Sequence, residues 1–186
     1  MAKKQEAKTP AKSEYRRFRV SILIRDRIFG NIPKPEGPPT LVSFKRDDKG
    51  LFIEGRQVKS LLREAASVTR LTKKRGLRDG IQHGLFIKPE RIHLLEPDTK
   101  KNIKKPHGTL SNPVHIRLTP RGPRCAIMSA DYVNRPLLET FEVWLTAPVI
   151  TDDDLRRMFA VCEEVGLGAM RSQCHGKFDL LKCTLL

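Results

Sequence analysis

The sequence predicts an α+β fold, and three features carry that prediction. Apolar and polar residues alternate from Tyr15 to Ile24 and again from Leu138 to Thr146, the period of strands with one face on a core. Apolar residues recur at three-to-four-residue spacing from Gln57 to Leu71 and after Thr151, the period of amphipathic helices. The chain has 186 residues, enough for one domain with a core plus a tail and too few for a large multidomain enzyme.

Residues 1–14 carry Lys3, Lys4, Lys8 and Lys12 among Ala, Thr, Ser and Pro10, a composition that cannot bury enough apolar surface to offset the entropy of ordering it. A disordered basic arm is expected there, with a single folded domain over 15–186. In the first strand Phe18, Val20, Ile22 and Ile24 form the core-facing set. Prolines 33, 35, 38 and 39 with Gly30 and Gly37 make the stretch from Arg25 to Thr40 a connection. Leu41–Phe44 and Leu51–Ile53 flank Asp47-Asp48-Lys49-Gly50, a turn sequence, so a hairpin is predicted. The first helix places Val58, Leu61, Leu62, Ala65, Ala66 and Val68 on one face and runs into Lys73-Lys74-Arg75-Gly76, basic residues and a glycine that suit a helix C-terminus. Leu85–Ile87 and Ile92–Leu95, separated by a proline-bearing tetrapeptide, read as a second hairpin. Glu96 to Asn112, polar and lysine-rich, reads as a mobile loop.

Val114–Thr119 and Arg124–Met128 are short strand candidates. Leu138–Thr146 is a stronger one, with Phe141 on its core face. Thr151 before three aspartates is a helix N-terminus, and Leu155, Met158, Phe159, Cys162 and Val165 make the apolar stripe that ends at Gly166. A last strand covers Lys177 to Leu186. The order is strand, helix, strand, strand, helix, strand, a ferredoxin-like (RRM-like) βαββαβ sheet with insertions around 25–55 and 77–112. In that layout both helices cover one face of the sheet, and the other face is available to hold single-stranded nucleic acid.

Composition points the same way. Lys and Arg number 36 against 21 Asp and Glu, a formal net charge of +15. A balance so basic calls for a polyanion, and nucleic acid binds such a surface through phosphate neutralisation and counterion release. A membrane surface would also require an amphipathic or lipidated anchor, and none is visible, nor is there a signal-peptide stretch at Met1-Ala2-Lys3-Lys4-Gln5. A soluble, cytoplasmic protein with no membrane partner is expected. Cys125, Cys162, Cys174 and Cys183 form no C-x-x-C pair, which speaks against a disulfide framework and a zinc knuckle.

Two segments carry more than generic structure. Lys49 to Ala66 runs from a strand through Glu54-Gly55-Arg56-Gln57 into a helix with Lys59-Ser60-Leu61-Leu62-Arg63, and Gly166-Leu167-Gly168-Ala169-Met170-Arg171-Ser172-Gln173-Cys174-His175-Gly176-Lys177-Phe178 is a glycine-bearing loop before the last strand. Together they resemble the Pro-Gly-Ser-Ser turn with its Leu-Lys-Gly-x-x-Arg helix and the glycine-rich loop of the repeat-associated mysterious protein (RAMP) superfamily of CRISPR-associated proteins. Glu54-Gly55-Arg56-Gln57 stands in place of the usual turn, and Ser60 and Cys174 where glycines are usual. The resemblance implies ferredoxin-like domains and an RNA-binding role like that of the guide-RNA backbone subunits. The implied partners are RNA, including a CRISPR guide, and other effector subunits or copies of the chain itself.

On that reading the RNA-binding residues are Lys59, Arg63, Phe29, Gly166, Gly168, Arg171, Ser172, Gln173, Gly176 and Lys177. Lys59 and Arg63 lie one helical turn apart behind Gly55, where free backbone N–H groups suit a phosphate; the same spacing also fits a solvated helix face. The three glycines allow close backbone approach to a ligand, Gly166 serving equally as a helix C-cap, while Arg171, Ser172, Gln173 and Lys177 supply donors. Lys100, Lys101, Lys104 and Lys105 form the densest internal basic cluster, a pattern common in solvated loops. Among Tyr15, Phe18, Phe29, Phe86, Tyr132 and Trp144, an aromatic on the open sheet face or in a loop suits base stacking; Phe29 is the loop candidate, packing beneath the connection its alternative.

Enzymatic readings are poorer. Some relatives cut RNA with a histidine or a loop aspartate, and His175, Asp26 and Asp47 occupy places where such a residue would act; a metal-independent endoribonuclease is the competing function and a basic structural ribonucleoprotein component the third. Cys174-His175 with Cys183 is a weak metal pattern, and neither cofactor nor metal is expected.

Overall fold

The computed structural model describes residues 15–34, 41–69, 71–119 and 122–186; the predicted basic arm, 1–14, lies outside the described residues. Strand β1 (Arg16–Ile24) is followed by short strands β2 (Arg27–Phe29), β3 (Ile32–Pro33), β4 (Leu41–Ser43), β5 (Lys45–Arg46) and β6 (Leu51–Glu54). Helix α1 (Gly55–Val68), a single 3₁₀ turn at Leu71–Lys73 and helix α2 (Leu77–Gly84) come next, then β7 (Leu85–Lys88) and β8 (Arg91–His93). The second half contains β9 (Gly108–Thr119), β10 (Gly122–Asn134), β11 (Leu137–Leu145), helix α3 (Asp152–Val165), a 3₁₀ turn at Arg171–Gln173 and β12 (Phe178–Leu185).

The α+β class holds, and three sheets carry it. The main one runs β12-β1-β11-β7 with every neighbouring pair antiparallel. Taking its four strands with the helices between them, the chain order is strand, two helices, strand, strand, helix, strand, and the spatial order is fourth, first, third, second. A second sheet runs β2-β10-β4-β3, with β9 pairing the length of β10 as a long antiparallel hairpin. The third, β5-β6-β8, is small.

The two-residue period of β1 explains the core. Phe18, Val20 and Ile22 face inward with Phe141 and Val143 of β11 and Leu85 and Ile87 of β7. Onto them α1 lays Val58, Leu61, Leu62, Ala65 and Ala66, and α3 lays Leu155, Met158, Phe159 and Cys162. Each large apolar side chain so buried stabilises the fold by about 1.5–3 kcal/mol. Helix α3 begins as its sequence indicates: Asp154 N–H donates to the Thr151 hydroxyl at 3.1 Å, and Thr151 N–H donates to Asp154 Oδ2 at 2.9 Å, a reciprocal cap. Lys74 donates to the same carboxylate at 2.8 Å. Burial alone would raise the Asp154 pKa; the hydrogen bonds from Lys74 and Thr151 outweigh it and hold it below the usual range.

Several local expectations are corrected. The hairpin across Asp47–Gly50 joins β5 to β6, while Leu41–Ser43 belongs to the second sheet beside β10. The stretches around Leu85 and Ile92 do not pair with each other: β7 adds to β11, and β8 adds to β6. The first helix ends at Val68, and α2, which the glycines at 80 and 84 concealed, follows it. Glu96–Asn112 is not a free loop, because Ile103 is buried, its carbonyl accepts from Leu51 N–H at 2.7 Å, and β9 starts at Gly108.

Candidate nucleic-acid interface

The two sequence motifs meet in space. Helix α1 starts at Gly55 with no side-chain cap and no acidic residue in its first turn; the Glu54 carboxylate just before it is held by Lys45 at 2.9 Å and Arg56 at 2.6 Å. From the other end of the chain the glycine-bearing loop folds against the same helix, where Arg171 donates to Glu64 at 2.7 Å. Between them lies a cleft of about 130 Å³ lined by Asn31, Gln57, Ser60, Gly166, Gly168 and Arg171, among others. Gln57 closes one side by donating to Asn31 at 2.9 Å.

The glycines owe their identity first to the loop's own packing. Gly176 has φ +77°, and a Cβ there would lie 1.9 Å from the Leu167 carbonyl oxygen. Gly168 has φ +89°, and a Cβ would lie 2.5 Å from the Phe29 carbonyl oxygen. Only a residue without a side chain lets the loop double back this tightly. The fold is fixed by Leu167 N–H donating to Gly176 O at 2.8 Å, Ala169 N–H to Phe29 O at 3.1 Å and Gly176 N–H to Arg27 O at 3.0 Å. Gly166, φ +82°, ends α3 with its N–H on Cys162 O. The result is a hydrogen-bonded loop that turns Arg171 toward Glu64 of α1 and presents Ser172 and Gln173 at the surface. Ser172 and Gln173 are exposed, and Gln173 Oε1 accepts from Asn112 at 2.8 Å.

The four predicted cations occupy four places rather than one. Arg171 sits in the cleft beside α1. Arg63 is exposed on the next flank of α1, in a depression shared with Ser60, Ser67 and Arg78. Lys59 turns to the β7 edge, where its ammonium donates to Gln82 O at 2.8 Å and lies 5.4 Å from the centre of the Phe86 ring. Burial, followed by repulsion from Arg63, lowers the Lys59 pKa. Lys177 stands apart: with Arg25 it grips Glu164, which donation from Lys177 and then Arg25 holds at about 2.

Phe29 is a correction. It is 1 % exposed, its ring packed 4.8 Å from His175 and 5.8 Å from Tyr132, so it presents no face for a base. Phe18 is likewise in the core. Exposed aromatic surface lies instead at Tyr15 and Phe86. His175 and Asp26 are neighbours at 3.8 Å, while Asp47 accepts from His93 at 3.0 Å and Arg91 at 3.2 Å, pairings that no local spacing in the sequence signals. Among the described residues no group of three His, Cys, Asp or Glu side chains gathers as a metal site, and no helix is long and apolar enough to cross a membrane.

No family model matches the sequence, and no curated protein is similar to it at the sequence level. Solved structures are similar in shape. A chain of the Type III-B Cmr-beta complex, determined by cryo-EM bound to cognate target RNA, aligns over 92 % of this chain with TM-score 0.52 and 12 % identity. The likeness is one of fold. This chain spans 61 % of the length of that one. A chain of a Type IV-B CRISPR complex aligns over 91 % of this chain and 90 % of its own length, with TM-score 0.41 and 12 % identity.

Proposed function

We propose that this protein is a non-catalytic RNA-binding subunit of a CRISPR effector, resembling the RAMP guide-RNA backbone proteins and built as one ferredoxin-like domain over 15–186. The observation that carries the reading is the meeting of its two superfamily-like motifs. Segments more than a hundred residues apart in sequence face each other across one cleft, joined by Arg171 and Glu64. The strand order fourth, first, third, second with antiparallel neighbours supports the ferredoxin-like assignment, and the net charge of +15 supports a polyanionic ligand. The fold shared with a subunit of an RNA-bound CRISPR complex supports the class.

In this reading RNA phosphates engage the first turn of α1, which has no side-chain cap and whose Gly55 N–H donates to Glu90 O, together with Arg63 and Arg171, while the exposed Ser172 and Gln173 contact the sugar–phosphate chain. Lys59 adds charge at the β7 edge. Partners are RNA and other effector subunits or further copies of the chain.

The competing endoribonuclease rests on His175 beside Asp26. Incubation with labelled single-stranded RNA, with and without chelator, separates the two. A stable complex with intact RNA supports the binding subunit; discrete cleavage that disappears in His175→Ala supports the enzyme. Sequencing the RNA that copurifies tests the guide assignment: a uniform population with a shared repeat-derived end supports it, and a random mixture contradicts it.

A further inference from the structure

The face of the main sheet opposite the helices carries a row of aromatic and cationic side chains. Residues directly opposite in an antiparallel pair share a face, so the register places Arg17, Trp144 and Phe86 in one row across β1, β11 and β7. The next row holds Arg19, Glu142 and Lys88. Both α1 and α3 pack on the other face, against Val20, Phe141 and Val143.

This face is open and unlike a solvated sheet surface. The Arg17 guanidinium lies 4.6 Å over the Trp144 ring, and Tyr15, just before β1, lies 5.6 Å from it. Tyr15 is 43 % and Phe86 39 % exposed, a large share for aromatic side chains. Among the described residues neither Arg17 nor Arg19 has a carboxylate within ion-pair distance, and Arg19 Nε is shielded without a hydrogen-bond acceptor. The single carboxylate in these rows, Glu142, accepts from Trp144 Nε1 at 2.7 Å. The balance is positive, the rings lie within reach of successive bases, and Lys59 over Phe86 joins the row to the cations of α1.

We infer that this face is a stacking platform for single-stranded RNA, bases lying on Phe86, Tyr15 and the Arg17–Trp144 pair while Arg19 and Lys88 take phosphates. The inference rests on the RNA-binding reading and extends it from the backbone to the bases. Base–aromatic stacking tolerates any sequence, because every base has a π-face. A protein partner would favour an apolar, charge-depleted patch, which this face is not.

The test uses the whole 186-residue chain, whose only tryptophan is Trp144. Oligoadenylate should quench its fluorescence and shield it from iodide, and Tyr15→Ala with Phe86→Ala should weaken oligoadenylate binding by about tenfold. Inorganic polyphosphate, a backbone without bases, should bind both proteins equally. Oligoadenylate binding that leaves Trp144 unchanged and is indifferent to the double variant overturns the platform while the RNA-binding reading stands. No binding of RNA to the wild-type protein overturns both. Shielding of Trp144 that grows with protein concentration without RNA overturns it in favour of a contact between copies.

Discussion

Glu64 holds Arg171 at 2.7 Å, so that carboxylate competes with any phosphate for the guanidinium. Replacing Glu64 with Gln should tighten single-stranded RNA binding several-fold at low salt, and Arg171→Gln should weaken it, both read by fluorescence anisotropy. The pair is half-exposed, so its own contribution to stability is small and the RNA readout is the informative one. A second residue-level expectation concerns Asp47. Its carboxyl is held at about 2 rather than 3.8, foremost by the hydrogen bond from His93 and then by Arg91 and the turn N–H groups of Lys49 and Gly50. A depressed value means that the ion contributes stability above 3.8 and loses it as pH falls through about 2. His93→Ala should move the Asp47 titration up toward its ordinary value, measured by carboxyl ¹³C NMR. These pairings illustrate what sequence withholds: His93 and Asp47 come together through the β5-β6-β8 sheet, and no local pattern encodes that approach.

At the scale of elements, the glycine-bearing loop is the feature most dependent on single residues. Gly176→Ala combines a left-handed backbone with a Cβ 1.9 Å from a carbonyl oxygen and should cost about 3 kcal/mol in urea unfolding. Thr151→Ala removes one half of the α3 cap and should cost about 1 kcal/mol in the same measurement. The legible elements were those whose own period reveals them, β1, α1, β11 and α3 with its Thr151 cap, and β12, which its place after the glycine-bearing loop marks. What stayed hidden depended on distant partners. Helix α2 contains Gly80, whose missing side chain makes room for Val149 and Ala147, so a packing requirement reads locally as a helix breaker. Strands β7 and β8 look like two arms of a hairpin because only tertiary pairing sends them to separate sheets. Phe29 reads as a loop aromatic until β2 pairs with β10 and buries it.

For the whole molecule, the claim is that RNA is held by cations fixed on the fold rather than by diffuse positive charge. Lys59, Arg63 and Arg171 flank α1, and the α1 backbone and the loop hold them in place, whereas Lys3 and Lys4 belong to the stretch whose composition predicts a disordered basic arm. A positioned cation displaces counterions at a defined phosphate; an untethered one contributes a screened average. The most direct measurement is the affinity for single-stranded RNA across a salt series, comparing Lys59→Gln/Arg63→Gln/Arg171→Gln with Lys3→Gln/Lys4→Gln, each verified as folded by circular dichroism. The account predicts a much larger loss for the α1 and loop variant at every salt concentration. It also predicts a fall in the salt slope of about 0.7 for each phosphate contact removed. Equal loss from the Lys3/Lys4 variant at matched salt would contradict it.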